Sequence, residues 1–193
     1  MTLPSKFDND TFEMARTHVN DFIERCASKI PHEGLRLLEV GPQARSEVQK
    51  MFLNSNIETL DIVADYNPDI VGDLTKDNPH IADSTYDIIS CLEVLEHTVN
   101  PFTAVAELRR ILKDGGYLML SAPLNWRIHG PAPDCWRFTE FGWKVLLKDF
   151  DIIEIDKLNT PDRNLFPIKY NLLVRCDKTK NVDVHTMKFD LVD

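Results

Sequence analysis

From Leu35 onward, short apolar runs alternate with segments of helical periodicity, and this alternation restricts the possible folds more than any other feature of the sequence. The apolar runs have the length and composition of buried strands: LRLLEVG, IETLDI, DIVGDL, YDIISCLE and YLMLSAPL. Helical segments lie between them, namely ARSEVQKMFL and PFTAVAELRRILKDGG. Alternating strands and helices predict a mostly parallel sheet that helices cover on both faces.

The C-terminal part departs from this alternation. A short helical segment, TEFGWKVLLKD, has Thr139 as its expected N-cap. Two strand-like runs follow it, FDIIEIDKL and KYNLLVRCD, with no helical pattern between them. The sequence therefore predicts an α/β fold of the Rossmann-like, doubly wound type, with a mostly parallel seven-stranded sheet and an antiparallel C-terminal hairpin.

The ends of two helices are also predicted from local signals. Between Asp10 and Ile30 apolar residues recur at helical spacing, with Asp10 as a capped start and Pro31 as the stop. PFTAVAELRRILKDGG has proline in its first turn and is expected to end at Gly115-Gly116. At 193 residues the chain suits one domain with a full core. We expect a single domain over residues 1–193, with residues 1–34 as an N-terminal helical segment packed on it.

Composition and charge argue against several classes of protein. The chain is 43% hydrophobic and 27% charged, as is ordinary for a globular protein. No apolar run approaches the ~20 residues that cross a bilayer, and the first ten residues lack a signal pattern. The formal charge is −9, with no basic cluster longer than Arg109-Arg110, which argues against nucleic acid as a partner. Four cysteines lie far apart without a C-x-x-C pair. We expect a cytoplasmic protein with no membrane span; the sequence indicates no oligomeric state.

The chemically informative residues follow the strand ends, because ligands of such sheets bind outside the carboxyl ends of the strands. Those positions hold Glu39 with Gly41, then Asp61, Asp73 and the stretch Cys91 to His97. Asp61 lies about twenty residues after Gly41, the spacing at which an acidic residue accepts hydrogen bonds from a ribose diol. Taken singly, a glycine that ends a strand and an aspartate in a solvated turn remain the alternatives.

The ordered motifs resemble those of class I S-adenosylmethionine-dependent methyltransferases, the branch that includes small-molecule and quinone O-methyltransferases. The motifs that carry the resemblance are LLEVG, TLDI, DIVGDL, YDIISCLEVLEH and ELRRILKDGGYLMLSAP. They occur in the correct order over roughly Leu35 to Pro123, and EVLEH and LRRILKDGGYL are the most specific. The resemblance implies S-adenosylmethionine as cofactor.

The resemblance also implies which residues bind that cofactor. They are Glu39, Gly41, Pro42, Asp61, Ile62, Asp73, Leu74, Cys91 and Leu92. Glu39 and Gly41 would line the methionine end, and Asp61 would hold the ribose hydroxyls. Asp73 with Leu74 would contact the adenine. The first loop reads GPQARSE, with less glycine than family members commonly carry.

The motif EVLEH is a candidate metal site. If the segment is helical, Glu93, Glu96 and His97 fall at i, i+3 and i+4 and share one face. Two carboxylates and an imidazole are reasonable ligands for a divalent ion. An E-x-x-E-H arrangement binds a metal in small-RNA 2′-O-methyltransferases and some quinone O-methyltransferases, so the resemblance implies Mg or Mn here. The alternative is that the two glutamates solvate a helix start while His97 packs against a loop.

The loop NWRIHGPAPDCWRF, residues 125–138, follows the strand that should face the transferable methyl. We expect Trp126, Arg127, His129 and Trp136 to bind the substrate, with tryptophan faces stacking on sugar rings. His129 could be a fourth metal ligand or, without metal, the general base. The alternative is a structural loop, in which Trp136 packs with Phe138 under the next helix.

Four residues form the predicted catalytic set. Either His129 or His97 would act as the general base that removes the acceptor's proton. Asp134 and Arg137 would supply charged hydrogen bonds that select and orient hydroxyls. If the loop is structural, Arg137 would instead pair with Asp134 to hold the turn.

These features together predict an S-adenosylmethionine-dependent O-methyltransferase. HGPAPDCWRF is similar to stretches in methyltransferases associated with polysaccharide and glycan assembly, which implies a sugar or glycan hydroxyl as acceptor. One alternative is a phenolic or lipid-like small molecule, with the loop residues forming an apolar pocket. Another is a non-catalytic domain that keeps the fold but has lost tight cofactor binding.

Overall fold

The computed structural model describes residues 5–42 and 46–190. Its helices are α1 (Lys6–Lys29), α2 (Glu47–Met51), α3 (Pro101–Ile111) and α4 (Glu140–Leu146). Its strands are β1 (Arg36–Val40), β2 (Asn56–Asp61), β3 (Ile70–Val71), β4 (Tyr86–Leu92), β5 (Leu112–Pro123), β6 (Phe150–Asn159) and β7 (Pro167–Cys176). Short 3₁₀ helices lie at Ala64–Tyr66, Leu95–His97 and Val184–Thr186.

The strands form one seven-stranded sheet in the order β3-β2-β1-β4-β5-β7-β6. The pairs from β3 to β5 are parallel, whereas β7 runs antiparallel to both β5 and β6. The predicted fold class is therefore confirmed. Strand order reverses between β1 and β4, which opens a crevice at their carboxyl ends, where ligands of such sheets bind.

The sheet has an apolar core on each face, because neighbouring residues of a strand point to opposite faces. Leu38 of β1 packs toward α3 and α4, where the fully buried Trp143 lies. Leu37 packs toward α1 and α2, together with the buried Phe22 and Phe52. Among the described residues, no helix is both long and apolar enough to cross a bilayer.

α1 begins earlier than the sequence predicted. Ser5, not Asp10, is the N-cap. The Ser5 side chain accepts a hydrogen bond from the Asp8 amide at 3.1 Å, and the Asp8 carboxylate accepts one from the Ser5 amide at 2.8 Å. This reciprocal capping box satisfies two amides that would otherwise lack partners. The predicted start at Asp10 was wrong because Ser5 and Asp8, both earlier in the sequence, complete a reciprocal capping box.

α3 ends before the glycines that were expected to end it. Its last helical hydrogen bond runs from the Leu112 amide to the Leu108 carbonyl, and Gly115 and Gly116 lie in an irregular part of β5. Gly115 has a φ of +74°, and a Cβ at Gly116 would meet the Asp87 carbonyl oxygen at 2.9 Å. The glycines are thus needed for the close approach of β5 to β4, where the strand register shifts.

Two predicted elements are shorter in the structure. DIVGDL contributes only the two residues of β3 to the sheet edge. ARSEVQKMFL contributes α2, whose N-cap Ser46 accepts a hydrogen bond from the Gln49 amide at 3.0 Å. Ala44 and Arg45 of that segment lie outside the described residues. Local periodicity shows that such elements exist, but it does not fix where tertiary contacts end them.

Candidate active site

A cavity of about 190 Å³ opens at the carboxyl ends of β1, β2 and β4. Its lining includes five of the predicted cofactor residues: Gly41, Asp61, Ile62, Asp73 and Leu74. Gly41 has a φ of +64°, and a Cβ there would meet the Val94 side chain at 2.9 Å. Glycine is therefore required where the chain leaves β1.

Two aspartates present carboxylates to this cavity. Asp61 is buried, and its Oδ1 accepts a hydrogen bond from the Val63 amide at 2.8 Å, which leaves Oδ2 available. Oδ1 of Asp73 accepts hydrogen bonds from the amide and hydroxyl of Thr75 at 2.9 and 2.7 Å. Burial opposes ionisation of Asp73, but these bonds and Lys76 outweigh it, so the pKa of Asp73 is lowered. Both side chains are held as oriented acceptors.

A second cavity, of about 160 Å³, adjoins Gly41 on the α1 side of the sheet. Glu39, Gly41, Pro42 and Leu92 line it, and of these Glu39 and Gly41 are the residues predicted for the methionine end of the cofactor. Glu39 is buried and accepts hydrogen bonds from the Ser46 hydroxyl and from Gln49 Nε2. Burial raises the pKa of Glu39, although both bonds oppose the shift. Cys91 differs from the prediction, because it is fully buried within β4 and lines neither cavity.

The predicted common face of Glu93, Glu96 and His97 does not form. Only Leu95–His97 is helical, and Glu93 has a φ of +56°, so the i, i+3, i+4 relation is broken. The Glu93 carboxylate turns instead toward β5 and β7, where its Oε1 accepts hydrogen bonds from Ser121 at 2.6 Å and Lys169 at 2.8 Å. Potential ligand atoms of Glu96, His97 and His129 lie within 4.8 Å of one another. His129 thus takes the place expected for Glu93.

Charges around this cluster are balanced except at Glu96. Glu93 pairs with the buried Lys169, and Asp134 accepts two hydrogen bonds from Arg137. Glu96 is fully buried, and neither carboxylate oxygen has a hydrogen-bond partner among the described residues. Burial, and next the negative charge of Glu93, raise the pKa of Glu96 well above its ordinary value. A buried carboxylate in this state either keeps a proton or takes a cation.

The two histidines beside Glu96 are held in defined orientations. His97 Nδ1 lies 2.8 Å from the carbonyl oxygen of Pro133 and donates to it, so in the neutral ring the lone pair is on Nε2. The His129 amide donates to Asp134 at 2.9 Å, and its Nδ1 is 3.2 Å from the same carboxylate oxygen. The imidazole rings meet edge to face with centroids 4.8 Å apart. Hydrogen bonds from Arg137 hold the pKa of Asp134 well below its usual range.

Comparison with known proteins identifies the family. A family model described as a methyltransferase domain matches residues 12–153 of this chain. The chain belongs to the class I S-adenosylmethionine-dependent methyltransferases. Its matched region covers most of the sheet and both cavities, so S-adenosylmethionine is the expected cofactor of this methyltransferase.

Individual relatives agree with this assignment. A ubiquinone biosynthesis O-methyltransferase from Maricaulis maris is 30% identical over 113 residues, which are 49% of this chain and 42% of that protein. The chain thus spans less than half the length of this relative.

Among solved structures, the N-methyltransferase NodS from Bradyrhizobium japonicum aligns with a TM-score of 0.65 at 13% identity, covering 86% of this chain and 98% of that one. A SAM-dependent methyltransferase from Aquifex aeolicus aligns with a TM-score of 0.60 at 17% identity, covering 79% of this chain and 88% of that one. At these identities the structures show the fold alone.

The loop of residues 125–138 has two anchored ends in the methyltransferase. Trp126 meets Phe12 of α1 edge to face at 4.9 Å, and Arg127 pairs with Asp8 at 3.2 Å. At the other end, Trp136 Nε1 donates to the Thr98 carbonyl at 2.9 Å. Trp126, Arg127 and Trp136 therefore contact protein where the sequence suggested substrate.

The structural alternative for this loop is correct in two respects. Phe138 is buried, and its ring centroid lies 6.4 Å from that of Trp136 and 4.7 Å from that of Trp143. Trp136 itself is 37% exposed. The expected pair of Arg137 with Asp134 is present, with one hydrogen bond of 2.7 Å. These contacts hold the turn that presents His129.

Several residues of the methyltransferase's cavities were missed from the sequence. Asn20 and Ile23 of α1 line the cavity of about 160 Å³ beside Glu39, and Pro133 lines the cavity beside Asp61. Lys169 and Ser121 hold Glu93 from separate strands. A lysine in an apolar strand normally points to solvent, so its burial at 2% exposure has no local signal. Only the sheet order brings β7 beside β5 and thereby Lys169 to Glu93.

Proposed function

We propose that the chain is an O-methyltransferase that transfers the methyl group of S-adenosylmethionine to a hydroxyl of a small molecule. The adenosine part of the cofactor lies beside Asp61 and Asp73, and its methionine part beside Glu39. The acceptor lies among Glu93, His97 and His129. One observation carries this proposal: Glu96 has no hydrogen-bond partner among the described residues and lies next to two oriented histidines, of which His97 lines the proposed cofactor cavity.

A phenolic hydroxyl is the acceptor class that the observations favour. The Maricaulis maris relative is named for O-methylation in ubiquinone biosynthesis. The two tryptophans that suggested sugar stacking are engaged with Phe12 and with Thr98. A sugar or glycan hydroxyl remains the second candidate, because His129, Asp134 and Arg137 form a polar group beside the acceptor space.

Transfer of labelled methyl from S-adenosylmethionine to a panel of acceptors tests this choice. The panel pairs simple phenols and catechols with methyl glycosides and short oligosaccharides of similar size. We expect label in the phenolic products. Label only in the sugar products would reverse the order of the two candidates, and label in neither would contradict both.

The residues around Glu96 suit a divalent cation, Mg²⁺ or Mn²⁺. Glu96 offers two carboxylate oxygens that accept no hydrogen bond from the described residues, and His97 offers Nε2. His129 offers a ring nitrogen; its Nδ1 makes no hydrogen bond among the described residues, although it lies 3.2 Å from Asp134 Oδ2. Such an ion, when bound, lowers the pKa of a hydroxyl that it contacts. Glu93 stays outside this ligand set, because Lys169 and Ser121 already occupy its Oε1. Without an ion, His129 takes the acceptor's proton.

Manganese titration of the protein loaded with S-adenosylhomocysteine tests the cation site. We expect one bound Mn²⁺, and His97→Ala should weaken its binding by about tenfold or more, since each ligand contributes strongly. His80→Ala is the matched control, because His80 is exposed and outside the cluster. Methyl transfer should fall in chelator and return with Mg²⁺ or Mn²⁺. Full activity in chelator would remove the metal and leave His129 as the base.

A further inference from the structure

We propose that Trp136 is a positioning residue of the cofactor cavity rather than a contact of the acceptor. Its Nε1–H donates to the carbonyl oxygen of Thr98 at 2.9 Å. His97, Thr98 and Val99 line the cavity that holds Asp61 and Asp73. Trp136 therefore supports one wall of that cavity from outside. The inference rests on the proposed placement of the adenosine part beside the two aspartates.

The backbone around Trp136 is joined to the same wall. The amides of Cys135 and Trp136 both donate to the carbonyl oxygen of Glu96, at 2.7 and 3.1 Å. Pro133, whose carbonyl oxygen accepts from His97 Nδ1, is itself part of the cavity lining. The segment Pro133–Trp136 and the segment Glu96–Val99 thus form one connected unit.

The indole ring links this unit to the core. It lies nearly parallel to Phe138, at an angle of 13° with centroids 6.4 Å apart, and Phe138 in turn packs on the fully buried Trp143. Close-packed cores have few alternative arrangements. A side chain that packs against such a core is therefore held in one position, and so is the group to which it is hydrogen-bonded. Trp136 is placed to hold Thr98 at a set distance from the core.

The other tryptophan of the loop provides a natural contrast. Trp126 packs on Phe12 of α1, and neither residue lines the cofactor cavity. The loop therefore carries two indoles with different neighbours, of which Trp126 is half-buried and Trp136 is exposed. If Trp136 acts through Thr98, only its replacement should change the affinity for the adenosine part of the cofactor.

Calorimetric titration with S-adenosylhomocysteine and 5′-methylthioadenosine, which lacks the amino-acid part, tests the inference. Trp136→Phe keeps an aromatic ring over Phe138 but loses the donor to Thr98. We expect it to weaken both ligands by about fivefold, the value of one ordinary hydrogen bond. Trp126→Phe should leave both affinities within about twofold. Far-ultraviolet circular dichroism and melting curves check that each variant is folded.

Comparison of the two ligands distinguishes an effect of Trp136 on adenosine binding from a nonspecific loss of order in the whole site. Glu39→Gln should weaken S-adenosylhomocysteine but not 5′-methylthioadenosine, because Glu39 lies at the methionine end. Equal losses for both tryptophan variants would assign the effect to the loop as a whole and overturn the inference. Unchanged affinity in Trp136→Phe, with Asp61→Ala strongly weakened, would also overturn it. If Asp61→Ala leaves 5′-methylthioadenosine binding intact, the placement of the adenosine is what fails.

Discussion

Replacing Asp61 with alanine is expected to weaken binding of S-adenosylmethionine by about a hundredfold, the combined value of two charge-assisted hydrogen bonds to a ribose diol. The carboxylate is buried at the end of β2, and the Val63 amide fixes its orientation through Oδ1. Among the described residues of the cavity lining, the other carboxylate is Asp73, which Thr75 and Lys76 already hold. Isothermal titration with S-adenosylhomocysteine measures the loss.

Two further variants show whether that loss comes from the carboxylate's charge. The side chain in Asp61→Asn can still accept a hydrogen bond from the Val63 amide. We therefore expect only about a tenfold loss of cofactor affinity, from the weaker neutral hydrogen bonds. Asp65→Ala is the control, since Asp65 is exposed in the 3₁₀ helix Ala64–Tyr66 and outside the cavity lining. Affinity in Asp65→Ala should match the parent. Equal losses at positions 61 and 65 would show that the turn, not the carboxylate, matters.

Glu96→Gln is expected to make the metal-free protein more stable at pH 8 by about 1–3 kcal/mol, while methyl transfer is lost. Glu96 is fully buried with no hydrogen-bond partner among the described residues, and His97 Nε2 lies 3.9 Å from its Oε1. Its pKa is raised in the folded state by burial and by Glu93. Stability from this raised pKa is fully present below the unfolded-state pKa and is lost as pH rises through the folded-state pKa. Glutamine cannot ionise, so the variant avoids that loss. Urea unfolding in chelator, from pH 5 to pH 8, should show a difference that grows with pH.

The other glutamate of the motif should respond with the opposite sign. Desolvation acts to raise the pKa of Glu93, but Lys169 outweighs it and the pKa is lowered. Glu93→Gln leaves the buried ammonium of Lys169 without its counter-charge, which we expect to cost about 1–2 kcal/mol after screening by the open cleft. Added Mn²⁺ should stabilise the parent protein but not Glu96→Gln. A destabilised Glu96→Gln at every pH would contradict our description of Glu96.

The fold was predictable from the sequence because the buried strands are short, mainly apolar runs that alternate with helical segments. In LRLLEVG, both Leu37 and Leu38 are apolar, as a strand covered on both faces requires. Element ends were less predictable, since Gly115 and Gly116 have the same local signal at a helix end as in a bulged strand. Their actual role depends on how closely β5 approaches Asp87 of β4, which is a tertiary contact.

The site was only partly predictable. Residues that a local sequence pattern marks were found, whereas contacts between residues far apart in the sequence were not. Gly41, Asp61 and Asp73 could be found because each lies at or just after the carboxyl end of a strand, and all three line the proposed cofactor cavity. The grouping of Glu93 with Glu96 and His97 was wrong, because it assumed a helix that the left-handed residue Glu93 interrupts. Lys169 holds Glu93 across 76 positions of sequence. No periodicity encodes such a pair.

The loop of residues 125–138 is anchored at both ends, which has a consequence for how the proposed acceptor specificity can be changed. Trp126 is fixed to α1 and Trp136 to the cofactor wall, while Ile128, at 84% exposure, lies between them. Sequence changes near either tryptophan would disturb parts of the enzyme that every acceptor needs. Apart from His129, which belongs to the proposed catalytic cluster, residues 128–132 make none of these contacts, so we expect new acceptor preferences to be selectable at Ile128 and at residues 130–132.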